Sequence, residues 1–171
     1  MKKPRVVFDT NVYISATIFP GGIPEELLKL AFAGDILLGV SKEILEELSK
    51  VYLRKFHLNS RAVYEQIKRI LNNAELVEPT EKLSIVKADK SDNIVLECAV
   101  AYKAEIIVSG DFHLLEIKKY KAISILKPAE YLRLHSSEVK GNEYFTCEKH
   151  AKYLTTKVEK TKHQKRKKQY T

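Results

Sequence analysis

Arg5-Val6-Val7-Phe8-Asp9-Thr10-Asn11 sets four residues of strand-forming character directly against a polar stop. β-Branched and aromatic residues suit a buried strand, and Asp-Thr-Asn ends one. Val12-Tyr13-Ile14-Ser15-Ala16 then reads as a helical turn, broken by Pro20-Gly21-Gly22. Between Pro24 and Ala33, Leu27, Leu28, Leu30 and Ala31 recur at helical spacing, and Gly34 stands where a glycine closes a helix. The run Ile36-Leu37-Leu38-Gly39-Val40 is too short for a helix, and Ser41 after it is a good N-cap for a helix from Lys42 to about Arg54.

The alternation continues outward. A helical pattern covers residues 60–73, a short strand Glu75-Leu76-Val77-Glu78 precedes Pro79, and residues 92–103 are apolar on nearly all sides, as in a helix packed between other elements. Ile106-Ile107-Val108 is the clearest central strand and ends at Ser109-Gly110-Asp111. His113-Leu114-Leu115 makes a short helix, Ile123-Ser124-Ile125 a last strand, and Pro128 to Leu134 a last helix with proline in its first turn. Alternating elements of this kind predict an α/β fold, with a mostly parallel, doubly wound sheet of about five strands flanked by helices.

The chain has 171 residues, 44% of them hydrophobic, which suffices for one domain with a real core. Its 2 cysteines, Cys98 and Cys147, give no disulfide framework and point to a reducing, cytoplasmic setting. No apolar run approaches the ~18 residues of a membrane span, and Met1-Lys2-Lys3-Pro4 leads into a strand pattern, so neither a membrane partner nor secretion is expected. The net charge of +8 is unevenly placed: residues 139–171 hold ten basic residues and three acids, a balance of +7, while residues 1–138 carry only +1. Apolar periodicity fades after about residue 136. Residues 1–136 are accordingly read as the folded domain and 137–171 as a basic extension, disordered in part. Lys165-Arg166-Lys167-Lys168 is its densest run, suited either to a polyanion such as RNA or to plain solvation.

Asp9 follows the first strand and Asp111 follows Ile106–Val108 after a Ser-Gly turn, so both belong to the rim where open α/β sheets bind ligands. Asp92 begins the buried helix and can face the same rim, with a helix N-cap or first-turn acid as its alternative role. At about 100° per residue, Ile44, Leu45, Leu48, Val51 and Tyr52 share one face of helix 42–54, with Glu46 nearly opposite and Glu47 at the border. Glu47 is the acid that can look inward, an interfacial salt bridge being the alternative. Converging carboxylates repel one another unless a cation is present. Oxygen ligands without clustered His or Cys suit Mg2+ or Mn2+, ions that support phosphodiester hydrolysis.

Taken together, Val7-Phe8-Asp9-Thr10-Asn11-Val12, Ile44-Leu45-Glu46-Glu47-Leu48, Asp89-Lys90-Ser91-Asp92-Asn93 with Leu96-Glu97-Cys98-Ala99, and Ile107-Val108-Ser109-Gly110-Asp111 resemble the PIN-domain nuclease family. Ile125-Leu126-Lys127-Pro128-Ala129-Glu130-Tyr131-Leu132 is similar to the end of that domain, and the match spans about residues 4–135. The members closest in pattern are VapC-like toxins of type II toxin–antitoxin pairs. The resemblance implies a PIN-like three-layer α/β/α fold and Mg2+- or Mn2+-dependent cleavage of single-stranded or structured RNA. It implies catalytic roles for Asp9, Glu47, Asp92 and Asp111, with Asp9, Asp92 and Asp111 as metal ligands directly or through water. Asn11 and Ser109 match polar positions that orient water or ligand. Asp89, three residues before Asp92, competes for the same role. An antitoxin and a second copy of the chain are the implied protein partners.

The tail has no counterpart in these motifs. Cys147-x-x-His150, with His163 nearby, supplies too few ligands for the usual four-ligand zinc site. A non-catalytic RNA-binding module with a degenerate nuclease fold is the alternative function, and the intact set of four acids argues against it. A phosphotransfer domain of the haloacid-dehalogenase type needs an Asp at position 11, which is Asn here, and no lysine follows a late strand in the receiver manner. No GxxxxGK loop is present either.

Overall fold

The computed structural model describes residues 3–86 and 90–140. Its elements are β1 (Arg5–Phe8), α1 (Thr10–Ile18), α2 (Ile23–Phe32), β2 (Leu37–Ser41), α3 (Lys42–Arg54), α4 (Ser60–Leu71) and β3 (Glu75–Val77). They continue with α5 (Lys90–Tyr102), β4 (Ile106–Val108), α6 (Phe112–Ile117), β5 (Lys119–Tyr120), β6 (Ile123–Leu126) and α7 (Pro128–Lys140). The strands form a sheet in the order β3-β2-β1-β4-β6-β5. All neighbours pair in parallel except β5, which runs antiparallel to β6.

The central strands explain the layering. Side chains alternate between the two faces of a strand, yet Val6, Val7 and Phe8 are all fully buried, as are Ile107 and Val108. Both faces are therefore covered by helices, the condition under which parallel strands become continuous hydrophobic runs. The chain is an α/β protein with a mostly parallel sheet between helical layers, as expected. α3 buries Ile44, Leu45, Leu48 and Tyr52, and its N-cap Ser41 accepts a hydrogen bond from the Ile44 N–H at 3.4 Å. Asn59 caps α4 in the same way, accepting from Ala62 N–H at 2.8 Å.

Three expectations need correction. The sheet has six strands rather than about five. The sixth, Lys119–Tyr120, is two residues long and carries no apolar run that a sequence pattern could register. The helical turn expected at Val12–Ala16 is the nine-residue α1, whose Val12, Tyr13 and Ala16 are buried, so packing overrides the weak helix propensity of Val, Ile and Thr. The last helix, expected to stop at Leu134, continues to Lys140, through the position where the composition changes. The proposed extension beyond that helix lies outside the described residues, as do Cys147, His150 and His163. No helix among the described residues is long and apolar enough to cross a membrane.

Gly39 sits in the middle of β2, where glycine normally weakens a strand. A Cβ there would lie 2.4 Å from Cδ1 of Tyr102, whose ring is backed by the Arg5 guanidinium at 4.2 Å. The glycine lets α5 settle against the sheet. Gly39→Ala should therefore cost about 1–3 kcal/mol by overpacking, read as a lower urea midpoint. Adding Tyr102→Leu should recover part of the loss, and equal stability of Gly39→Ala and wild type would show that the ring shifts freely.

Candidate functional site

β1 and β4 are parallel neighbours with Phe8 opposite Val108, and the Asp9 N–H donates to the Val108 carbonyl at 2.9 Å. This register brings Asp9 beside Ser109 at the carboxyl edge of the sheet. The fully buried Ser109 hydroxyl donates to Asp9 Oδ2 at 2.6 Å, and Ser109 Oγ accepts from the Asp111 N–H at 2.9 Å. One hydroxyl thus fixes the first carboxylate and the turn that carries the second. Asp111 is the N-cap of α6, and its Oδ1 accepts from the His113 N–H at 2.8 Å.

Asp9 is itself the N-cap of α1, but it makes no side-chain cap bond. Its Oδ2 is instead taken by the Ser109 hydroxyl. Burial, with only 5% of the residue exposed, is the main cause that raises its pKa. The Ser109 hydrogen bond lowers it, the Asp111 charge raises it, and the Thr10 and Asn11 backbone N–H groups lower it, leaving the carboxyl above its ordinary value. Thr10 is buried as well, with an Oγ1 that has no hydrogen-bond partner among the described residues.

α5 returns the chain from the carboxyl edge to the start of β4, so its first turn opens on the Asp9 rim. Asp92 lies in that turn and is 5% exposed. Two further residues of α5 hold the incoming chain. Asn93 Oδ1 accepts from the N–H groups of Ile85 and Val86 at 2.9 and 3.0 Å, and Asn93 Nδ2 donates to the Val86 carbonyl at 2.8 Å. Glu97 accepts from the Leu83 N–H at 2.7 Å and from Lys82 Nζ at 3.1 Å. Neither residue was expected to matter on its own. The available signal was an i, i+4 polar pair in an otherwise apolar helix, facing a partner that helical spacing cannot identify.

Glu46 is exposed and pairs with Lys42 at 3.7 Å, while Glu47 is half-buried, in line with the helical angles. Glu43, in the first turn of α3, has its pKa lowered chiefly by its own backbone N–H, with Ser41, Lys82 and Lys42 acting in the same direction. Asn11 is exposed. Asp89 and the tail residues Lys165, Arg166, Lys167 and Lys168 lie outside the described residues. The fold thus joins Asp9, Ser109 and Asp111 into one hydrogen-bonded cluster and puts Asp92 in the helix turn opening on the same edge.

A hard divalent ion fits this donor set. Asp9 is desolvated next to a second carboxylate, the conflict that a cation relieves. Among the described residues, no three or more His, Cys, Asp and Glu stand together as a ready-made cage. Mg2+ does not require one, because it usually keeps several waters and takes only one or two carboxylates.

The raised pKa of Asp9 has a definite sign in stability. The folded chain holds that proton more tightly than the unfolded chain, so this contribution is present at acid pH and is lost as pH rises through the folded value. With chelator present, Asp9→Asn should melt higher than wild type at pH 7, by about 2–8 °C for a gain near 1 kcal/mol. The gap should close toward pH 4.5. Thermal melts across that range check it, and a variant that melts lower at pH 7 would remove the charge conflict from the account.

A family model described as a PIN domain matches residues 5–113. An uncharacterized protein of Methanocaldococcus jannaschii, MJ1680, is 32% identical over 120 residues, covering 68% of this chain and 76% of its own length. Among solved structures, VapBC2 from Rickettsia felis, bound to a DNA fragment from its promoter, superposes with a TM-score of 0.51 at 16% identity, covering 72% of this chain and 98% of the other. That likeness is one of fold. The length of the family match, the relative's identity and the acidic edge of a parallel sheet agree, and the chain belongs to the PIN domain family, whose members are generally metal-dependent nucleases.

Proposed function

We propose that this PIN domain is a metal-dependent endoribonuclease that cleaves RNA phosphodiester bonds at the carboxylate edge of its sheet. The observation that carries the reading is the buried Asp9 carboxyl, held by Ser109 and raised in pKa beside Asp111. Such an arrangement is costly for a structural role and useful to a nuclease. Asp9, Asp92 and Asp111 are the residues that would hold Mg2+ or Mn2+, directly or through water, and Glu47 would add to the acidic field. When bound, the ion supplies charge neutralisation for the phosphodiester and acidifies water.

The chain's own residues have separate tasks in this reading. Ser109 aims one oxygen of Asp9 and fixes the Asp111 turn, so it positions rather than reacts. Asn93 and Glu97 anchor the chain ahead of α5 and so define where Asp92 begins. Exposed Asn11 orients water or ligand at the mouth of the site. Lys165, Arg166, Lys167 and Lys168 hold flanking phosphates. The cellular role we attach to the activity is that of a VapC-like toxin, with a protein antitoxin and a second copy of the chain as partners and the cytoplasm as its setting. The fold shared with VapBC2 supports looking for such a partner first.

End-labelled RNA incubated with purified protein should be cut with Mn2+ or Mg2+ and left intact with chelator. Asp9→Asn should lose about 100-fold or more of the activity, and Ser109→Ala about 10- to 100-fold, as positioning groups around metal sites commonly do. Cutting that persists in Asp9→Asn would sink the assignment. Independently, Mn2+ should raise the melting temperature of the wild type by several degrees, since an ion at 100 times its Kd adds about 2.7 kcal/mol to stability. The rise should be smaller in Asp92→Asn, and an equal rise in both would remove Asp92 from the ligand set.

A further inference from the structure

Phe112 directly follows Asp111 and, at 67%, is the most exposed large hydrophobic residue among those described. Its direction is constrained. The His113 N–H on Asp111 Oδ1 closes the turn through residue 112, and the His113 ring meets the Phe112 ring edge-on, with centroids 6.0 Å apart and planes at 66°. On the neighbouring strand, Leu126 pairs with Val108 and its carbonyl accepts from the Ser109 N–H at 3.0 Å. The exposed Lys127 therefore leaves β6 beside Ser109, at the same edge. One flank of the Asp9–Ser109–Asp111 cluster thus carries a neutral aromatic ring and a cation. The other flank, where β2 meets α3, carries Glu43 and Glu47.

A polyanion brought to carboxylates needs contacts that do not depend on its charge. An aromatic face offers one, since every nucleobase can stack on it, whereas a base inside a duplex already has both faces covered. We propose that Phe112 is the stacking platform for an unpaired nucleotide of single-stranded RNA next to the phosphodiester at the Asp9–Asp111 cluster, with Lys127 on a flanking phosphate. The nature of the substrate rests on the nuclease reading above. The ring face supplies affinity with little sequence preference, and the requirement for an unpaired base supplies selection against duplex.

The test is binding of single-stranded RNA carrying 2-aminopurine at successive positions to the full chain with chelator present, so that cleavage does not enter. Wild type should quench the probe at one or two adjacent positions. Phe112→Ala should lose the quenching and bind about 5- to 150-fold more weakly, the range alanine substitution of one base-stacking aromatic spans. Phe112→Trp should restore both, and Lys127→Ala should flatten the salt dependence of affinity while leaving the quenching in place. Affinity for the same RNA annealed to its complement should not depend on residue 112. Equal quenching and affinity in wild type and Phe112→Ala would overturn the proposal. Position-dependent stacking without metal-dependent cleavage would keep it and sink the nuclease reading, and failure of the full chain to bind the RNA would remove both.

Discussion

The placement of two carboxylates at the ends of adjacent parallel strands is the constraint from which the rest of the structure follows. β1 and β4 are locked with Phe8 opposite Val108, and the chains leaving them meet at the Asp9 N–H to Val108 carbonyl bond of 2.9 Å. A slip of one residue would turn Val6, Val7 and Phe8 to opposite faces and carry Asp9 away from Ser109. The core that specifies the register therefore also specifies the site. Ser109 converts backbone register into side-chain geometry, donating to Asp9 and accepting from the Asp111 N–H.

The desolvated carboxyl of Asp9 stands at the edge of a tightly packed core. Behind Asp9 stand Val6, Val7 and Phe8, and behind Ser109 stand Ile107 and Val108, all fully buried. On α5, Asn93 and Glu97 grip the segment from Lys82 to Val86 by hydrogen bonds. A buried carboxyl is tolerated because the elements around it have no room to relax and hydrate it. This separates the free energy that makes the fold from the free energy stored at the site. In the reading proposed above, neutralising Asp9 would relieve the fold and disable the edge at once.

Much of this was legible in the sequence because it is carried by local pattern. Arg5–Phe8 and Ile106–Val108 appear as strands, and helix 42–54 with its Ser41 cap appears with its observed bounds, since apolar period and cap chemistry lie within a few residues of one another. Glu47 was separated from Glu46 by helical angle alone, and burial agrees. β5 was missed because antiparallel pairing with β6 creates it, through contacts such as Tyr120 with Ile123, and not through any run of its own. Asn93 and Glu97 were missed for the same physical reason. Apart from the Lys82 ammonium at Glu97, their partners are backbone groups of the segment before α5, and a backbone group leaves no mark in a sequence. Even the charge conflict at Asp9 was visible only as a shared rim until the Ser109 bond gave it geometry.

Charge acts on this chain at two length scales. The whole chain carries +8, nearly all of it in residues 139–171, a charge that would draw the proposed RNA over distances up to a Debye length of about 8 Å in physiological salt. At the sheet edge the sign reverses, because Asp9, Asp111 and Asp92 present negative charge to whatever arrives. Attraction by the tail cannot by itself seat a phosphodiester among carboxylates. Under the nuclease reading proposed above, two kinds of contact can: a multivalent cation that the carboxylates would hold, and an uncharged surface that would bind the nucleotide through its base. The first would account for gathering the acids at one edge with Asp9 and Asp92 buried. The second gives the exposed ring at Phe112 a purpose that its cost in water otherwise lacks.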